Sequence, residues 1–254
     1  MLTLLPPYII IIFIFLFGIV IGSFLNVCIL RIPNKEDIVK ERSHCMSCGH
    51  VLKWYDLFPL ISFMILGGKC RYCKTKLSVQ YPLVEALNGV LYVVIFLIYG
   101  VSVETLLYTL LTSALIVLSF IDFKTYEIPI GINLIILALG LVRVATDYSN
   151  WLTYLIGFIA VSLPLAVIYY VTHGRGIGGG DVKLMAVCGL VLGWKLILLA
   201  FILGCIVGAI IHLVRMKVSN EDHVLAMGPY LSVGVFIALS MGDFLINWYL
   251  KFYA

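Results

Sequence analysis

Apolar segments of membrane-spanning length recur along the chain and constrain its fold more than any other feature. They lie at about residues 8–30, 83–99, 106–121, 128–144, 152–171, 182–192, 196–214 and 229–250. A helix needs about 20 apolar residues to cross the hydrocarbon core of a membrane. Segment 182–192 is shorter, so it either uses the following Gly193-Trp194 turn or only dips into the membrane. The pattern predicts an all-α polytopic membrane protein with about eight transmembrane helices.

Composition supports this prediction. Hydrophobic residues make up 63% of the chain and charged residues 12%, and the mean hydropathy is +1.12. Soluble domains are about half apolar and a quarter charged. The first apolar segment is too long for the core of a signal peptide and has no basic leader, so we expect it to be retained as a span.

Basic residues are distributed unequally between the two sides of the predicted membrane. With eight spans, one side holds Arg143, Lys195 and Lys251, and the opposite side holds the other fourteen of the 17 Lys and Arg residues. The positive-inside rule makes the richer side cytoplasmic and places both chain ends outside. If segment 182–192 only dips, Lys195 and the C-terminus change sides.

Two aspartates lie at the cytoplasmic edge in either arrangement. Asp122 follows segment 106–121, and Asp181 ends the glycine-rich turn Gly176-Ile-Gly-Gly-Gly-Asp181. Glycines let other backbone approach closely, and two neighbouring carboxylates share a proton and activate water. The arrangement predicts a catalytic aspartate pair. The alternative is that each acid only marks the end of a helix. The nearby His173 either tunes the local field or caps the fifth helix.

The loop from Arg31 to Pro82 carries two Cys-x-x-Cys pairs, Cys45 with Cys48 and Cys70 with Cys73. This spacing is typical of structural zinc sites, and a reducing cytoplasm disfavours disulfides. We therefore predict bound Zn²⁺; redox-active or unliganded cysteines are the alternative. The loop also holds nine Lys and Arg residues, which topology and attraction to the lipid bilayer explain, so we expect no nucleic acid partner. Its apolar residues between Trp54 and Met64 suggest that it folds back against the membrane.

Three Gly-x-x-x-Gly repeats begin at Gly18, Gly189 and Gly204. Such repeats let membrane helices pack closely. We expect them to serve packing rather than chemistry.

Together these motifs resemble the bifunctional type IV prepilin peptidases with N-methyltransferase activity, which are membrane aspartic peptidases of the GxGD group. The resemblance covers nearly the whole chain. It is carried by Gly22-Ser-Phe-Leu-Asn-Val-Cys-Ile-Leu-Arg-Ile-Pro33, Arg42-Ser-His-Cys-Met-Ser-Cys48, Gly68-Lys-Cys-Arg-Tyr-Cys73, Tyr81-Pro-Leu-Val-Glu85, Asp122 with Ile128-Pro129, the turn from Gly176 to Leu184, and Met227-Gly-Pro-Tyr-Leu231.

The resemblance implies an endopeptidase of the bacterial inner membrane with its active site at the cytoplasmic face. It would remove the short basic leader of prepilin or pseudopilin substrates and then methylate the new N-terminus with S-adenosylmethionine. Asp122 and Asp181 would be the catalytic pair, and Cys45, Cys48, Cys70 and Cys73 the zinc ligands. Three departures from the family pattern, at Met46, Ile130 and Ala226-Met227, bear on loop geometry.

The resemblance also suggests three parts: a first transmembrane helix (1–30), a cytoplasmic zinc loop with the methyltransferase part (31–82), and a multi-helix peptidase domain (83–254). Glu85 is a candidate polar group near the cofactor, or alternatively a carboxylate at a helix N-terminus. A proton-coupled transporter using both aspartates, a non-enzymatic assembly scaffold, and a protease that cuts within substrate spans are the other functions considered.

Overall fold

The computed structural model describes residues 6–218 and 225–252. The described chain is almost entirely helical, and its backbone pairing outside helices includes two isolated bridges in the cysteine loop. Its ten α-helices are α1 (Pro7–Asn34), α2 (Ile61–Ile65), α3 (Gln80–Tyr99), α4 (Val103–Thr125), α5 (Ile130–Thr146), α6 (Trp151–Ala160), α7 (Ser162–Val171), α8 (Gly179–Leu192), α9 (Trp194–Val218) and α10 (Gly228–Leu250).

Six helical segments of the described chain are long and apolar enough to cross a membrane. They are Tyr8–Asn34, Gln80–Tyr99, Val103–Thr125, Tyr148–Val171, Trp194–Lys217 and Gly228–Leu250. The other two predicted spans correspond to the shorter helices α5, with 17 residues, and α8, with 14. The all-α polytopic fold expected from the sequence is therefore confirmed.

One span, Tyr148–Val171, is interrupted at Val161, where α6 ends and α7 begins. Pro164 lies in the first turn of α7. Because proline has no backbone N–H and its ring clashes with the carbonyl four residues earlier, it breaks the hydrogen-bond ladder of a continuous helix. The Ser162 hydroxyl donates a hydrogen bond to the Phe158 carbonyl beside this break.

Helix α8 lies at the centre of the second half of the chain and contacts α5, α6, α7, α9 and α10. Every residue from Leu184 to Leu192 is buried, as expected of a helix that is apolar on all sides. Its 14 residues give a length of about 21 Å. It ends at Gly193, whose φ is +80°, and α9 begins at the next residue. Segment 182–192, whose sequence left open whether it crosses the membrane or only dips into it, therefore corresponds to a short helix that is buried from Leu184 to Leu192.

The chain divides into two compact units, Met1–Thr105 and Leu106–Ala254. In the first unit α1 packs along α3. A Cβ atom placed on Gly18 would lie 2.7 Å from the Cα of Gly89, and one on Gly22 would lie 2.7 Å from the Cα of Glu85. The first Gly-x-x-x-Gly repeat is thus a packing device. The three-part division by function remains a prediction.

In the second unit, Gly189 of α8 and Gly157 of α6 place their backbones in direct contact, so a Cβ on either would overlap the other. We expect Gly189→Ala to destabilise the protein by about 1–3 kcal/mol, the usual cost of overpacking. Gly131→Ala is the matched control, because a Cβ there meets nothing within 4 Å. The unfolding temperature of the detergent-solubilised protein is the measurement; equal values for both variants would contradict this packing.

Candidate active site and metal centre

The two predicted catalytic aspartates line the same cavity of the second unit. The cavity has a volume of about 490 Å³. Asp122 reaches it from the last turns of α4, and Asp181 from the first turn of α8. Residues 59 positions apart are brought together because the C-terminal end of α4 and the N-terminal end of α8 lie at the same end of this unit.

Asp122 is 4% exposed, and its carboxylate has a defined partner. The backbone N–H of Gly228 donates a hydrogen bond to Asp122 Oδ2 at 2.9 Å. Gly228 is the first residue of α10, and the first N–H groups of a helix have no partner within the helix. A helix N-terminus also favours negative charge nearby. The start of α10 therefore fixes the position of this carboxylate.

Asp181 is half-buried and lies in the first turn of α8. Its carboxylate is hydrogen-bonded by the backbone of Gly178, the residue that caps the helix. A carboxylate at the third helical position that bonds to the backbone N–H of the capping residue forms one half of a capping box. Asp181 therefore does mark the end of a helix, as the alternative prediction states. It also lines the cavity, so the two predictions do not exclude each other.

The glycines before Asp181 are required by close neighbours. A Cβ on Gly178 would lie 3.0 Å from Asp181 Oδ2, and one on Gly180 would lie 3.0 Å from the Cβ of Ile128. A Cβ on Gly179 would lie 3.4 Å from the Tyr169 ring, which is an ordinary contact distance. Side chains at Gly178 and Gly180 would push the turn away from these neighbours and move the Asp181 carboxylate.

The remaining wall of the cavity is mostly apolar, with Tyr126 and Arg175 as its other polar side chains. Its apolar side chains are Leu165, Ile177, Phe201, Leu225, Ala226, Met227 and Leu231. His173 and Glu127 are both exposed and are not among the lining residues. An apolar enclosure around two acids suits a hydrophobic substrate whose polar backbone group must reach the carboxylates.

Sequence reasoning assigned no role to Gly228 or Arg175. A signal for Gly228 was present, because Pro229 follows it and proline is common at the first positions of helices. That signal predicts free N–H groups at residue 228, but it does not reveal which carboxylate they meet. Arg175 directly precedes the glycine-rich turn, and no local pattern separates it from an ordinary basic loop residue.

The four loop cysteines of the first unit form a cluster that could hold a metal ion. Their sulfur atoms all lie within 4.8 Å of one another, and Cys45 Sγ is 3.8 Å from Cys73 Sγ. Four sulfurs bound to zinc at about 2.3 Å lie about 3.8 Å apart in a tetrahedron. The residues therefore fit a tetrahedral zinc ion.

Both pairs have the same backbone geometry. The N–H of Cys45 bonds to the His50 carbonyl and that of Cys70 to the Thr75 carbonyl, each at 2.9 Å. The turn after each pair contains a residue of positive φ, Gly49 at +69° and Lys74 at +62°. Hydrogen bonds with the Thr75 hydroxyl and backbone lower the pKa of Cys73 to about 6. A thiolate is the form that a metal requires.

Glu85 lies in the second turn of α3 and is 6% exposed. Its Oε2 accepts a hydrogen bond from the Leu60 N–H at 2.8 Å, and its carboxylate is also hydrogen-bonded by Ser23. The backbone at Leu60 has a φ of +58°. Glu85 therefore joins three separate parts of the first unit: α1, the cysteine loop and α3.

Apolar helices that present two carboxylates to one cavity, together with a four-cysteine loop, define a polytopic membrane protein with the groups needed for acid-base hydrolysis. Residues 16–99 match the bacterial peptidase A24 N-terminal domain, and residues 109–213 match the type IV leader peptidase family. The chain belongs to the type IV leader peptidase family. This confirms the resemblance and places the protein among enzymes rather than transporters or assembly scaffolds.

Several bacterial relatives are similar over nearly their whole length. The chain is 33% identical to a prepilin leader peptidase/N-methyltransferase of Bacillus subtilis, covering 93% of this chain and 96% of the relative. Relatives of the same name from Pseudomonas putida, at 33% identity, and Pseudomonas aeruginosa, at 30%, cover 89% and 93% of the chain and 88% and 92% of their own lengths. No solved structure matches the chain.

Proposed function

We propose that this protein cleaves the short basic leader of prepilin-like proteins and then methylates the new N-terminus. The observation that carries the peptidase assignment is that Asp122 and Asp181 line one cavity. Family membership supports both activities, since its relatives are named for both. Asp122 and Asp181 are the proposed catalytic residues.

The chemistry follows from the pairing of the two acids. Two neighbouring carboxylates do not both ionise at low cost, so one keeps a proton. The ionised carboxylate removes a proton from water, and the water oxygen attacks the scissile carbonyl carbon. The protonated carboxyl donates to the carbonyl oxygen. The tetrahedral intermediate collapses when the leaving nitrogen receives a proton, which releases the leader and a new N-terminal amine.

The cavity wall supports a membrane-embedded substrate. Leu165, Phe201 and Leu231 lie beside the two acids, so an apolar segment can lie among the helices while its leader junction reaches the carboxylates. The Arg175 and Tyr126 side chains are the polar groups available to the substrate backbone there. We infer that the partner is a prepilin or pseudopilin rather than a soluble peptide.

We propose that the site lies at the cytoplasmic face of a bacterial inner membrane, and the distribution of basic residues supports the cytoplasmic side. Fourteen of the 17 Lys and Arg residues fall on the aspartate side when eight spans are assumed, and the positive-inside rule makes that side cytoplasmic. A substrate leader that is itself basic remains on this side for the same reason.

We propose that Cys45, Cys48, Cys70 and Cys73 hold a structural Zn²⁺. When bound, the ion would supply cohesion to a loop whose apolar core is small, because metal binding and folding are coupled in such units. The protein's own contribution is the pair of matching turns that direct four sulfurs to one point.

S-adenosylmethionine is the methyl donor that the family resemblance implies. Glu85 is the candidate polar group for its site, but Leu60 and Ser23 engage its carboxylate. These contacts fit an anchor for the loop better than a ligand of a cofactor. No step of methyl transfer is therefore assigned to Glu85.

Cys45→Ser should abolish zinc binding and loosen the loop, because a closed site built from four thiolates loses one of its ligands. Cys205→Ser is the matched control, since Cys205 lies in α9 outside the cluster. Metal analysis of each variant, purified under reducing conditions without chelators, is the measurement. We expect methyl transfer to fall more than cleavage, because the aspartates lie outside the loop. Zinc retained at the unmodified level in Cys45→Ser would contradict the site.

Incubation of the purified protein with a full-length prepilin, followed by mass measurement of the product, tests the proposed function. We expect loss of the leader without added cofactor, and a further methyl group only when S-adenosylmethionine is present. Unchanged substrate mass would overturn the peptidase assignment. Cleavage within the apolar segment of the substrate would instead indicate a protease that cuts inside membrane spans.

A further inference from the structure

An exposed apolar surface lies on the loop between α1 and α3. Its side chains are between 42% and 74% exposed, and we call them the loop patch: Trp54, Leu57, Phe58, Ile61, Met64 and Ile65. The last three share one face of α2 because their spacing is i, i+3 and i+4. Phe63 lies on another face and places its ring beside Gly68, within the loop. The loop therefore has an interior side chain and a separate outward apolar surface.

The cysteine turns hold the N-terminal end of the loop patch in place. Arg71 Nε donates to Asp56 Oδ1 at 2.6 Å, and the Asp56 side chain is only 3% exposed. The Tyr72 hydroxyl donates to the other oxygen of Asp56 at 3.4 Å. Arg71 and Tyr72 are the two residues between Cys70 and Cys73, so the second cysteine turn fixes the short helical turn at Trp54–Asp56.

The other end of the loop patch, which includes α2, is fixed to a membrane span. Leu60, directly before α2, donates its N–H to Glu85, and Glu85 lies in the second turn of the span Gln80–Tyr99. This bond places α2 level with the N-terminal turns of α3. At the same level α3 exposes Leu83, at 54%. The loop patch thus lies at the same level as exposed apolar surface of a helix that is long and apolar enough to cross a membrane.

The loop that carries the patch has an excess of basic residues, which suits an anionic lipid surface. Lys53, Lys69, Arg71, Lys74 and Lys76 are all exposed. The loop from Arg31 to Pro82 carries nine basic residues, whereas its acidic residues are Glu36, Asp37, Glu41 and Asp56. Tryptophan is enriched at membrane–water interfaces, and basic side chains near such a surface are attracted to anionic headgroups.

We propose that the loop patch inserts into the interfacial region of the lipid leaflet next to the cysteine loop, with the surrounding basic residues on anionic headgroups. The loop is then a third membrane attachment of the first unit, beside α1 and α3. Two fixed ends keep the apolar side chains outward, and burial in lipid removes them from water, which is favourable. This attachment does not depend on cleavage or methyl transfer.

Tryptophan fluorescence in lipid vesicles tests the insertion. The full chain carrying Trp151→Phe, Trp194→Phe and Trp248→Phe retains Trp54 as its single tryptophan. It is reconstituted into vesicles of phosphatidylcholine and phosphatidylglycerol whose chains are brominated near the headgroup. The matched control adds Trp54→Phe and Val39→Trp, because Val39 lies in the same loop, outside the patch, and is 88% exposed. Metal content and unfolding temperature confirm that each variant is folded.

We expect brominated lipid to remove most of the Trp54 emission, and aqueous acrylamide to quench it much less than it quenches the control. Equal acrylamide quenching at both positions, with no effect of bromine, would overturn the proposal. Protection of Trp54 that appears only after a prepilin is added would overturn it as well, and would make the patch a substrate surface. If replacement of the other tryptophans impairs folding, the difference in quenching between the unmodified protein and the Trp54→Phe variant reports on Trp54 instead.

Discussion

Asp122→Asn and Asp181→Asn are each expected to lower the rate of prepilin cleavage on the order of 10³-fold or more, as happens when one member of a catalytic set is removed. Asparagine is nearly isosteric with aspartate, but it does not carry the shared proton. The double variant should be no slower than either single variant, because residues that act as a unit do not contribute additively. Both variants should still bind zinc and insert into membranes.

Asp243→Asn is the control for this experiment, because Asp243 is an exposed carboxylate of α10 that does not line the cavity. It should leave the cleavage rate unchanged. For the unmodified protein, the pH dependence of cleavage should be bell-shaped, with two limbs that belong to the pair rather than to named residues. Near-normal cleavage by either cavity variant would refute the two-aspartate mechanism, and the exposed Glu127 and His173 would then need examination.

The spans could be predicted from the sequence because they depend on local composition. The observed ends of α3, α5 and α9 lie within a few residues of the apolar segments that predicted them. The break at Val161 was not predicted, although Pro164 was visible, because proline in a membrane helix produces either a kink or an interruption depending on its neighbours. The central position of α8 could not be predicted from the sequence either, because it depends on packing against five other helices.

The two acids of the candidate site could be predicted because each ends a recognisable pattern, an apolar segment for Asp122 and a glycine-rich turn for Asp181. Their placement on one cavity follows from the chain's topology and needed the structure. The contact between Gly228 and Asp122 joins residues 106 positions apart. No local rule relates such positions, so the partner of a buried carboxylate was inaccessible to sequence reasoning.

In the cysteine loop, too, features set by local spacing could be predicted from the sequence, whereas contacts between distant residues could not. Spacing alone selected the four cysteines that the structure brings together. The sequence indicates Glu85 either as a polar group near the cofactor or as a carboxylate at a helix N-terminus, whereas its partners in the structure are Leu60 and Ser23. Leu60 is a non-glycine residue with positive φ, and apolar side chains around it gave no indication that its N–H would be held by a buried acid.

Gly228 provides a test of how closely the Asp122 carboxylate must be positioned. A Cβ on Gly228 would lie 2.6 Å from Asp122 Oδ2 and 3.0 Å from the Cδ2 of Leu118. The added Cβ would therefore push the carboxylate towards the cavity that it lines and away from the Gly228 N–H that positions it. Alanine at the start of a helix does not weaken the helix itself, since its intrinsic helix propensity exceeds that of glycine. Loss of activity without loss of stability is therefore the expected pattern.

Gly228→Ala should lower the rate of prepilin cleavage by about 10²-fold, the size of effect associated with a displacement of about 1 Å at a reacting group. Gly131→Ala is the matched control, because the added Cβ lies in open space at the start of α5, and it should keep full activity. Cleavage rates at saturating substrate, zinc content and unfolding temperature are measured for both variants. A fall in rate with unchanged zinc content and unfolding temperature supports the role of Gly228 in positioning Asp122. Full activity of Gly228→Ala would show that the carboxylate can move aside without loss of catalysis, and would remove the start of α10 from the active site.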